Sequence, residues 1–302
     1  MALTFSHPAM IALSAVLLAI FWQQCGWLAH DFLHHQVFEN RTLNNWAGFF
    51  VGDWWQGFSV TWWKRKHNTH HAVPNVHLTD PDVDLMPLLA WSEHALDSFM
   101  EGDFAALPKT LIDYQYLTYP VLLAFARMSW AIQSVLTVAT GTDVPDRAKE
   151  AFFLALHYAC YFGLMSTMSA GNAAIFFAVS NTTCGLLLAL VFSLNHNGMP
   201  IFTHEEACSM DYFTRQVVTG RDVEPTTFNS WFSGGLNYQI EHHLFPNVPR
   251  HNFHKISPLV RSLCKKHNVS YHSTSFMGGT IEVFKRLIVV GKASQKVTAA
   301  RK

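Results

Sequence analysis

The sequence predicts an all-α integral membrane protein, with transmembrane helices and a helical cap that is rich in histidine. Half of the 302 residues are hydrophobic and only 14% are charged, whereas soluble domains average about 25% charged residues. Two long stretches, residues 1–30 and 151–204, contain no Asp, Glu, Lys or Arg. The 18 histidines gather in short clusters. Lys plus Arg and Asp plus Glu balance at 21 each, which does not favour nucleic acid as a partner.

Three membrane spans are predicted from the charge-free stretches, because a spanning helix needs about 20 apolar residues. The first span lies near residues 8–29. The second stretch contains turn-forming residues at Ser169–Asn172, so it divides into spans near 151–169 and 172–194. We expect one functional domain over residues 1–290, followed by a polar tail at 291–302.

Two further apolar stretches are interrupted by polar residues and are predicted to be interfacial or core helices. Residues 45–63 carry Asp53 and, near their end, the tryptophans Trp54, Trp55, Trp62 and Trp63, and residues 117–138 carry Pro120 and Arg127. Tryptophan favours the membrane interface, and an arginine in the middle of a span is costly in lipid.

The basic run Lys64–Lys66 indicates which side of the membrane the cap occupies. Positive charges next to spans favour the cytosolic side, so we expect a multi-pass protein whose cap faces the cytosol and whose Met1 lies in the lumen. The sequons at Asn40 and Asn268 should then stay without glycans. The five cysteines are scattered and form no Cys-x-x-Cys motif, which excludes a disulfide framework and a thiolate metal site.

Three histidine clusters and one further histidine are the candidate site. On a helix, residues three or four apart share a face, so each cluster can aim two or three imidazoles at one point. The predicted spans bring all the clusters to the same side of the membrane. The candidate ligands are His30 and His34, His67, His70 and His71, His196, and His242 and His243.

Eight imidazoles suit two metal ions, since a structural zinc ion is satisfied by four ligands. Imidazole accepts iron, copper, zinc or nickel, so the ligand type alone leaves the metal open. A redox metal next to lipid could activate O₂ and attack an unactivated C–H bond. Asp31 and Glu241 are expected to orient imidazoles from outside the ligand set. Gln239 is expected to act as a hydrogen-bond partner and not as a metal ligand. Helical spacing does not decide whether His35 takes part.

The clusters resemble the three histidine boxes of membrane fatty-acid desaturases. They read His30-Asp-Phe-Leu-His34-His35, His67-Asn-Thr-His70-His71 and Gln239-Ile-Glu-His242-His243. The glutamine that opens the third box resembles the front-end subgroup, which places a new double bond between an existing one and the carboxyl end. The strings Phe21–His30 and Gly234–Gln239 are similar to those of fungal Δ6 desaturases that act on linoleate and α-linolenate.

This resemblance implies a non-haem centre of two irons, O₂ as oxidant and an endoplasmic-reticulum membrane location. It also implies electrons from NADH or NADPH through a reductase and cytochrome b5, and an acyl-lipid or acyl-CoA substrate. One feature departs from the family, whose members carry an N-terminal cytochrome-b5-like domain with a His-Pro-Gly-Gly motif. Here the only His-Pro is His7-Pro8, followed by Ala9. We therefore expect a shortened form that depends on separate cytochrome b5.

Several alternatives remain open on the sequence. A Δ5 desaturase, a Δ8 sphingolipid desaturase, or a hydroxylase or carotenoid or sphingolipid oxidase would share the same histidines. A histidine-rich metal transporter would need ionisable residues inside its spans, where only His157 qualifies. A membrane zinc protease is disfavoured because His-Glu-x-x-His is missing.

Overall fold

The computed structural model describes residues 7–96 and 106–300, and it confirms the all-α prediction. Two short strands, Asp222–Val223 and Ser273–Thr274, pair in parallel. The helices are α1 Pro8–Leu33, α2 Arg41–Gly48, the π-helix Phe49–Gln56, α3 Val60–Ala72, α4 Ala106–Asp113, α5 Gln115–Ala124, α6 Ala126–Thr140, α7 Arg147–Met165, α8 Ala170–His196, α9 His204–Cys208, α10 Tyr212–Val218, α11 Thr227–Phe232, α12 Gln239–Leu244, a 3₁₀ turn Arg250–Asn252, α13 Phe253–Lys266 and α14 Phe276–Ala300.

Two helices in the described part of the chain, α1 and α8, are by themselves long and apolar enough to cross a membrane. They cover the spans predicted near 8–29 and 172–194. The helix at the third predicted span, α7, ends at Met165, and its first turns carry Arg147, Lys149 and Glu150. It is not among these candidates, so that span stays a prediction.

The stretch 117–138, which was expected to be an interfacial or core helix, forms two helices instead of one. The axes of α5 and α6 meet at an angle of 58°, and together they pass as one broken span or as a re-entrant loop. Pro120 lies inside α5. By length and composition, residues 117–138 can therefore either cross the membrane as a broken span or enter and leave it on one side. The prediction that this segment does not span fits only the second possibility.

The chain divides into two compact units, Met1–Arg65 with Leu122–Leu190, and Lys66–Val121 with Val191–Lys302. In the first unit the π-helix packs against both α1 and α7. Its end is held by buried polar groups, because Arg127 donates to the Gln56 carbonyl at 2.6 Å and His157 Nδ1 lies 2.6 Å from the Trp54 carbonyl. Arg127 also lies over the Trp22 ring at 4.6 Å. One terminal nitrogen of the buried arginine is thus hydrogen-bonded, and His157 is confirmed as a buried, hydrogen-bonded residue.

The start of α3 is fixed by two buried carboxylates of the first unit. Asp53 accepts a hydrogen bond of 2.8 Å from the Val60 backbone N–H, and Glu150 accepts from the hydroxyls of Ser59 and Thr61. Burial raises the pKa of Asp53 well above its ordinary value, and the nearby charge of Glu150 raises it further. This anchoring defines where α3 begins, and α3 carries the second histidine cluster near its end.

In the second unit, α12 lies between α10 and α13 and carries the third histidine cluster. A small core of Val217, Ile240, Val260 and Cys264 joins the three helices. The turn before α12 requires glycine, because Gly235 has φ +85 and a Cβ there would lie 2.9 Å from the Arg250 side chain. The turn at Gly235 thus leads directly into the short helix that carries His242 and His243.

Candidate metal centre

Six of the eight predicted ligands lie in the second unit, on three helices. His67, His70 and His71 occupy the last two turns of α3, and His196 is the final residue of α8. His242 and His243 lie on α12 and are fully buried. His70 and His196 are also buried. Helix ends that are far apart in sequence thus contribute imidazoles to one region of this unit.

Three of these imidazoles converge closely through their Nε2 atoms. Nε2 of His196 lies 3.3 Å from Nε2 of His70 and 3.0 Å from Nε2 of His243. Two nitrogens bound tetrahedrally to one ion at about 2.0–2.1 Å would be about 3.3 Å apart. The spacing of His70, His196 and His243 therefore fits ligands of one metal ion.

A second set of imidazoles adjoins the first. Nε2 of His67 and Nε2 of His71 are 3.0 Å apart, and the ring of His242 is 4.6 Å from that of His71. Ring nitrogens of His67, His71 and His242 all lie within 4.8 Å of one another. The ring of His71 also stacks on His243 at 4.2 Å, so the two sets are neighbours.

His70 is oriented by a buried carboxylate that the sequence did not single out. Its Nδ1 lies 2.9 Å from the carboxylate of Asp80, which is fully buried. A proton on Nδ1 that is donated to Asp80 leaves the Nε2 lone pair for a metal. Burial alone would lower the pKa of His70, but the Asp80 charge and hydrogen bond outweigh it and raise the pKa to about 8.

His196 and His243 are oriented in the same way by α10 and the residue that follows it. Nδ1 of His196 lies 2.9 Å from the Thr219 carbonyl, and Nδ1 of His243 lies 2.9 Å from Oε1 of Gln216. The Gln216 amide also donates to the His71 carbonyl at 2.8 Å. Burial, followed by the neighbouring imidazoles, lowers the pKa of His243 well below its ordinary value. The neutral imidazole that a metal requires is thus favoured.

The first histidine cluster lies in the first unit. His30 and His34 are buried, with ring centroids 4.5 Å apart. Both rings pack edge-on against Trp63, at 5.6 Å and 5.7 Å. The pair therefore shares one face of α1, as its spacing predicted.

The donor set consists of imidazole nitrogens without thiolates, which suits iron, copper, zinc or nickel. A scan against family models matches residues 6–275 to the fatty acid desaturase family. The chain belongs to the fatty acid desaturase family. The resemblance of the three boxes is thereby confirmed, and a non-haem iron centre is a metal site that these residues fit.

Curated relatives from distant organisms agree with this family. An acyl-lipid (9-3)-desaturase of Physcomitrium patens is 42% identical over 288 residues, covering 93% of this chain and 53% of the relative. The Delta(5) desaturase fat-4 of Caenorhabditis elegans is 37% identical over 295 residues (94% and 65%), and its Delta(6) desaturase fat-3 is 37% identical over 273 residues (88% and 61%). The chain thus spans about half to two-thirds the length of these three relatives, whose named regiochemistries differ.

The three predicted accessory residues have different kinds of neighbours. Nδ1 of His30 is 3.7 Å from the Asp31 carboxylate, too long for a hydrogen bond. Glu241 accepts a hydrogen bond of 2.9 Å from the Tyr271 hydroxyl, a partner that is not an imidazole. The Gln239 amide nitrogen lies 2.8 Å from Nε2 of His196. The roles of these three residues stay predictions.

His35, which helical spacing left undecided, follows the end of α1. Its backbone is left-handed, with φ 58, and its Nε2 lies 3.0 Å from Oδ1 of Asn45. Asn45 also accepts from Lys64 at 2.9 Å. These contacts place the His35 ring on the side of α2.

Four residues that matter to the site escaped the sequence interpretation. Asp80, Gln216, Thr219 and Tyr271 lie outside every histidine cluster. A signal for Asp80 existed, since Asp80, Asp82 and Asp84 alternate shortly after the second cluster. Gln216 and Thr219 carry no signal, because a single polar residue on a short helix is common and only the fold brings it beside an imidazole.

Proposed function

We propose that this chain is the catalytic part of a front-end fatty-acid desaturase that inserts a cis double bond with O₂. The proposal rests chiefly on one observation, the six buried or half-buried imidazoles of the second unit, among which Nε2 of His196 lies within 3.3 Å of Nε2 of both His70 and His243. The desaturase family gives the reaction class. We propose that eight histidines hold two irons, with His30 and His34 completing the set on the ground of their box spacing.

The irons would supply the oxidising power that breaks two unactivated C–H bonds. The balanced reaction is R–CH₂–CH₂–R′ + O₂ + 2e⁻ + 2H⁺ → R–CH=CH–R′ + 2H₂O. The chain's own residues hold and orient the imidazoles: Asp80, Thr219 and Gln216 each fix an Nδ1 proton, and burial of His243 keeps water from its ring. Such outer partners set both the affinity and the geometry of a metal site.

We propose Δ6 as the position of the new bond, on a C18 chain already unsaturated at Δ9. The support is the resemblance of Phe21–His30 and Gly234–Gln239 to Δ6 desaturases, whereas the named relatives include Δ5, Δ6 and 9-3 enzymes. The test is expression in a desaturase-poor host fed with linoleate, with the double bond located by mass spectrometry. A bond at Δ5 of a C20 acid or at Δ8 of a sphingoid base would keep the class and reject the position. A hydroxylated product would reject desaturation itself.

We further propose that the protein lies in the endoplasmic-reticulum membrane with its histidines facing the cytosol. Its electrons would come from cytochrome b5 and an NAD(P)H-dependent reductase, and its substrate would be an acyl lipid or an acyl-CoA. Reconstitution with and without cytochrome b5 tests the donor. Full turnover with NADH and reductase alone would reject it.

A further inference from the structure

The surface that backs the third histidine cluster is strongly basic. Between Glu241 and Glu282 the chain contains no Asp or Glu, but it contains five Lys or Arg residues: Arg250, Lys255, Arg261, Lys265 and Lys266. The last four lie on α13 and are exposed. In the described part of the chain, no carboxylate forms an ion pair with any of these four. By contrast, Lys66 is paired with Asp82 at 3.1 Å and Arg65 with Asp143 at 3.3 Å.

The apolar side of α13 is already covered within the second unit. Phe253, Val260 and Cys264 are buried, and the last two form a core with Ile240 of α12. The outward side holds the cations together with Leu259, which is 70% exposed, and Leu263. A helix that lies in a membrane interface needs a broad free apolar face. Two exposed leucines beside four cations are instead typical of a protein contact with a polar rim.

Short contacts connect this surface to the imidazoles. The buried Phe253 ring lies 6.2 Å from the ring of His242. The Arg261 guanidinium lies 4.5 Å from the Tyr271 ring, and the Tyr271 hydroxyl donates to Glu241, the neighbour of His242, at 2.9 Å. A partner bound to α13 would therefore be separated from the histidines by little more than one layer of side chains.

We propose that the exposed cationic face of α13 is the docking surface for an acidic electron-donor protein. This inference rests on the proposed function, because desaturation consumes two electrons that neither O₂ nor the acyl chain supplies. Opposite charges on two proteins speed and orient their encounter, and salt weakens this effect. The face has the required charge, carries no internal counter-charge, and lies over the third histidine cluster.

The test compares two charge-reversed pairs in the full chain, loaded with iron and reconstituted in nanodiscs. The pair Lys265→Glu/Lys266→Glu lies on the proposed face. Lys292→Glu/Lys296→Glu is the matched control, because both lysines are exposed and lie on α14. With cytochrome b5 and reductase, the KM for cytochrome b5 should be on the order of 10-fold higher in the α13 variant than in the wild type. This KM should also depend less on salt concentration in the α13 variant. Turnover of dithionite-reduced protein with O₂ should match the wild type, and the control should behave as wild type in both assays.

Three outcomes would contradict the proposal that α13 is the docking surface. One is an unchanged KM for cytochrome b5. A second is an equal loss in the dithionite assay, which would mean that α13 only supports the metal centre. A third is a defect that appears in anionic but not in neutral nanodiscs, which would mean that the face binds lipid.

A readout independent of activity separates this inference from the proposed function. Carbodiimide coupling joins a lysine to a carboxylate only when the two touch, so peptide mapping should find Lys255, Lys265 or Lys266 linked to cytochrome b5. A chain that makes no double bond even after dithionite reduction contradicts the proposed function. Linkage confined to other lysines contradicts the docking surface.

Discussion

At the scale of single residues, the site is defined by what holds each imidazole as much as by the imidazoles themselves. Sequence spacing found the histidines, because boxes of His-x-x-x-His type stand out in one dimension. Their partners Asp80, Thr219 and Gln216 come from two other segments and are brought to Nδ1 atoms only by the fold. Two predictions follow from this division between ligand and partner.

The variant Asp80→Asn should lower the iron affinity of the chain by roughly 10- to 100-fold, the usual effect of losing a partner that orients a ligand. The physical reason is that a neutral amide lacks the negative charge with which Asp80 stabilises the Nδ1 proton of the buried His70. Iron per chain, measured after dialysis against a graded chelator, checks this. The control is Asp84→Asn, since Asp84 accepts from the Leu78 N–H at 3.3 Å and its carboxylate lies 3.6 Å from Nδ1 of His77, which is not one of the candidate ligands. Equal iron retention in both variants would contradict the role of Asp80.

The variant His35→Asn should keep its iron and its activity, while His67→Ala should lose both. His35 faces Asn45 rather than another imidazole, and asparagine tolerates the left-handed backbone at φ 58. Metal analysis and product analysis of the same preparations check this pair. Loss of iron from His35→Asn would instead place His35 among the ligands.

At the scale of elements, the close approach of helices is decided by small residues. A Cβ at Gly185 of α8 would lie 2.5 Å from the Ala124 carbonyl oxygen, at the break between α5 and α6. At Gly163 of α7 a Cβ would meet nothing within 4 Å. Both residues belong to the first unit. Gly185 lies in the interior of α8 and Gly163 in the last turn of α7, so helix propensity favours alanine at both positions and packing separates them.

We expect Gly185→Ala to destabilise the protein by about 1–3 kcal/mol, the usual cost of overpacking. Gly163→Ala should be neutral or slightly stabilising, because alanine is the better helix former by about 1 kcal/mol. The loss of monodisperse protein with temperature, followed by size-exclusion chromatography in detergent, compares the two variants. Similar midpoints would show that α8 does not approach the break as closely as described.

At the scale of the whole molecule, the histidines constrain how many segments cross the membrane. The first cluster lies at the end of α1, the second near the end of α3, and His196 ends α8. The proposed metal centre needs them on one side of the membrane, which requires an even number of crossings between the second cluster and His196. With α8 as one crossing, the proposed centre needs either α7 or the bent pair α5–α6 as the other, but not both. The ion pair between Arg65 and Asp143 favours α7, because it holds the loop before α7 on the side of the basic run.

We therefore predict that Asp143→Cys is labelled by a membrane-impermeant maleimide from the cytosolic side of sealed microsomes. Ser169→Cys, between α7 and α8, should be labelled only after permeabilisation. Both variants need a background in which the exposed Cys160 and Cys208 are serine. The reverse pattern for Asp143→Cys would make α5–α6 the crossing segment. A glycan on Asn40 or Asn268 would overturn the cytosolic orientation altogether.

The sequence by itself determined the fold class, the family and two helices long and apolar enough to span, and it predicted the box histidines, because these depend on composition and on spacing along one helix. Such local patterns are fixed by helical geometry and by the cost of placing charge in lipid. The tertiary structure decided the rest: Asp80 and Gln216 as partners of imidazoles, the turn of His35 towards Asn45, the 58° break between α5 and α6, and the unpaired cationic face of α13. Each of these depends on which distant side chains meet, which no local pattern encodes.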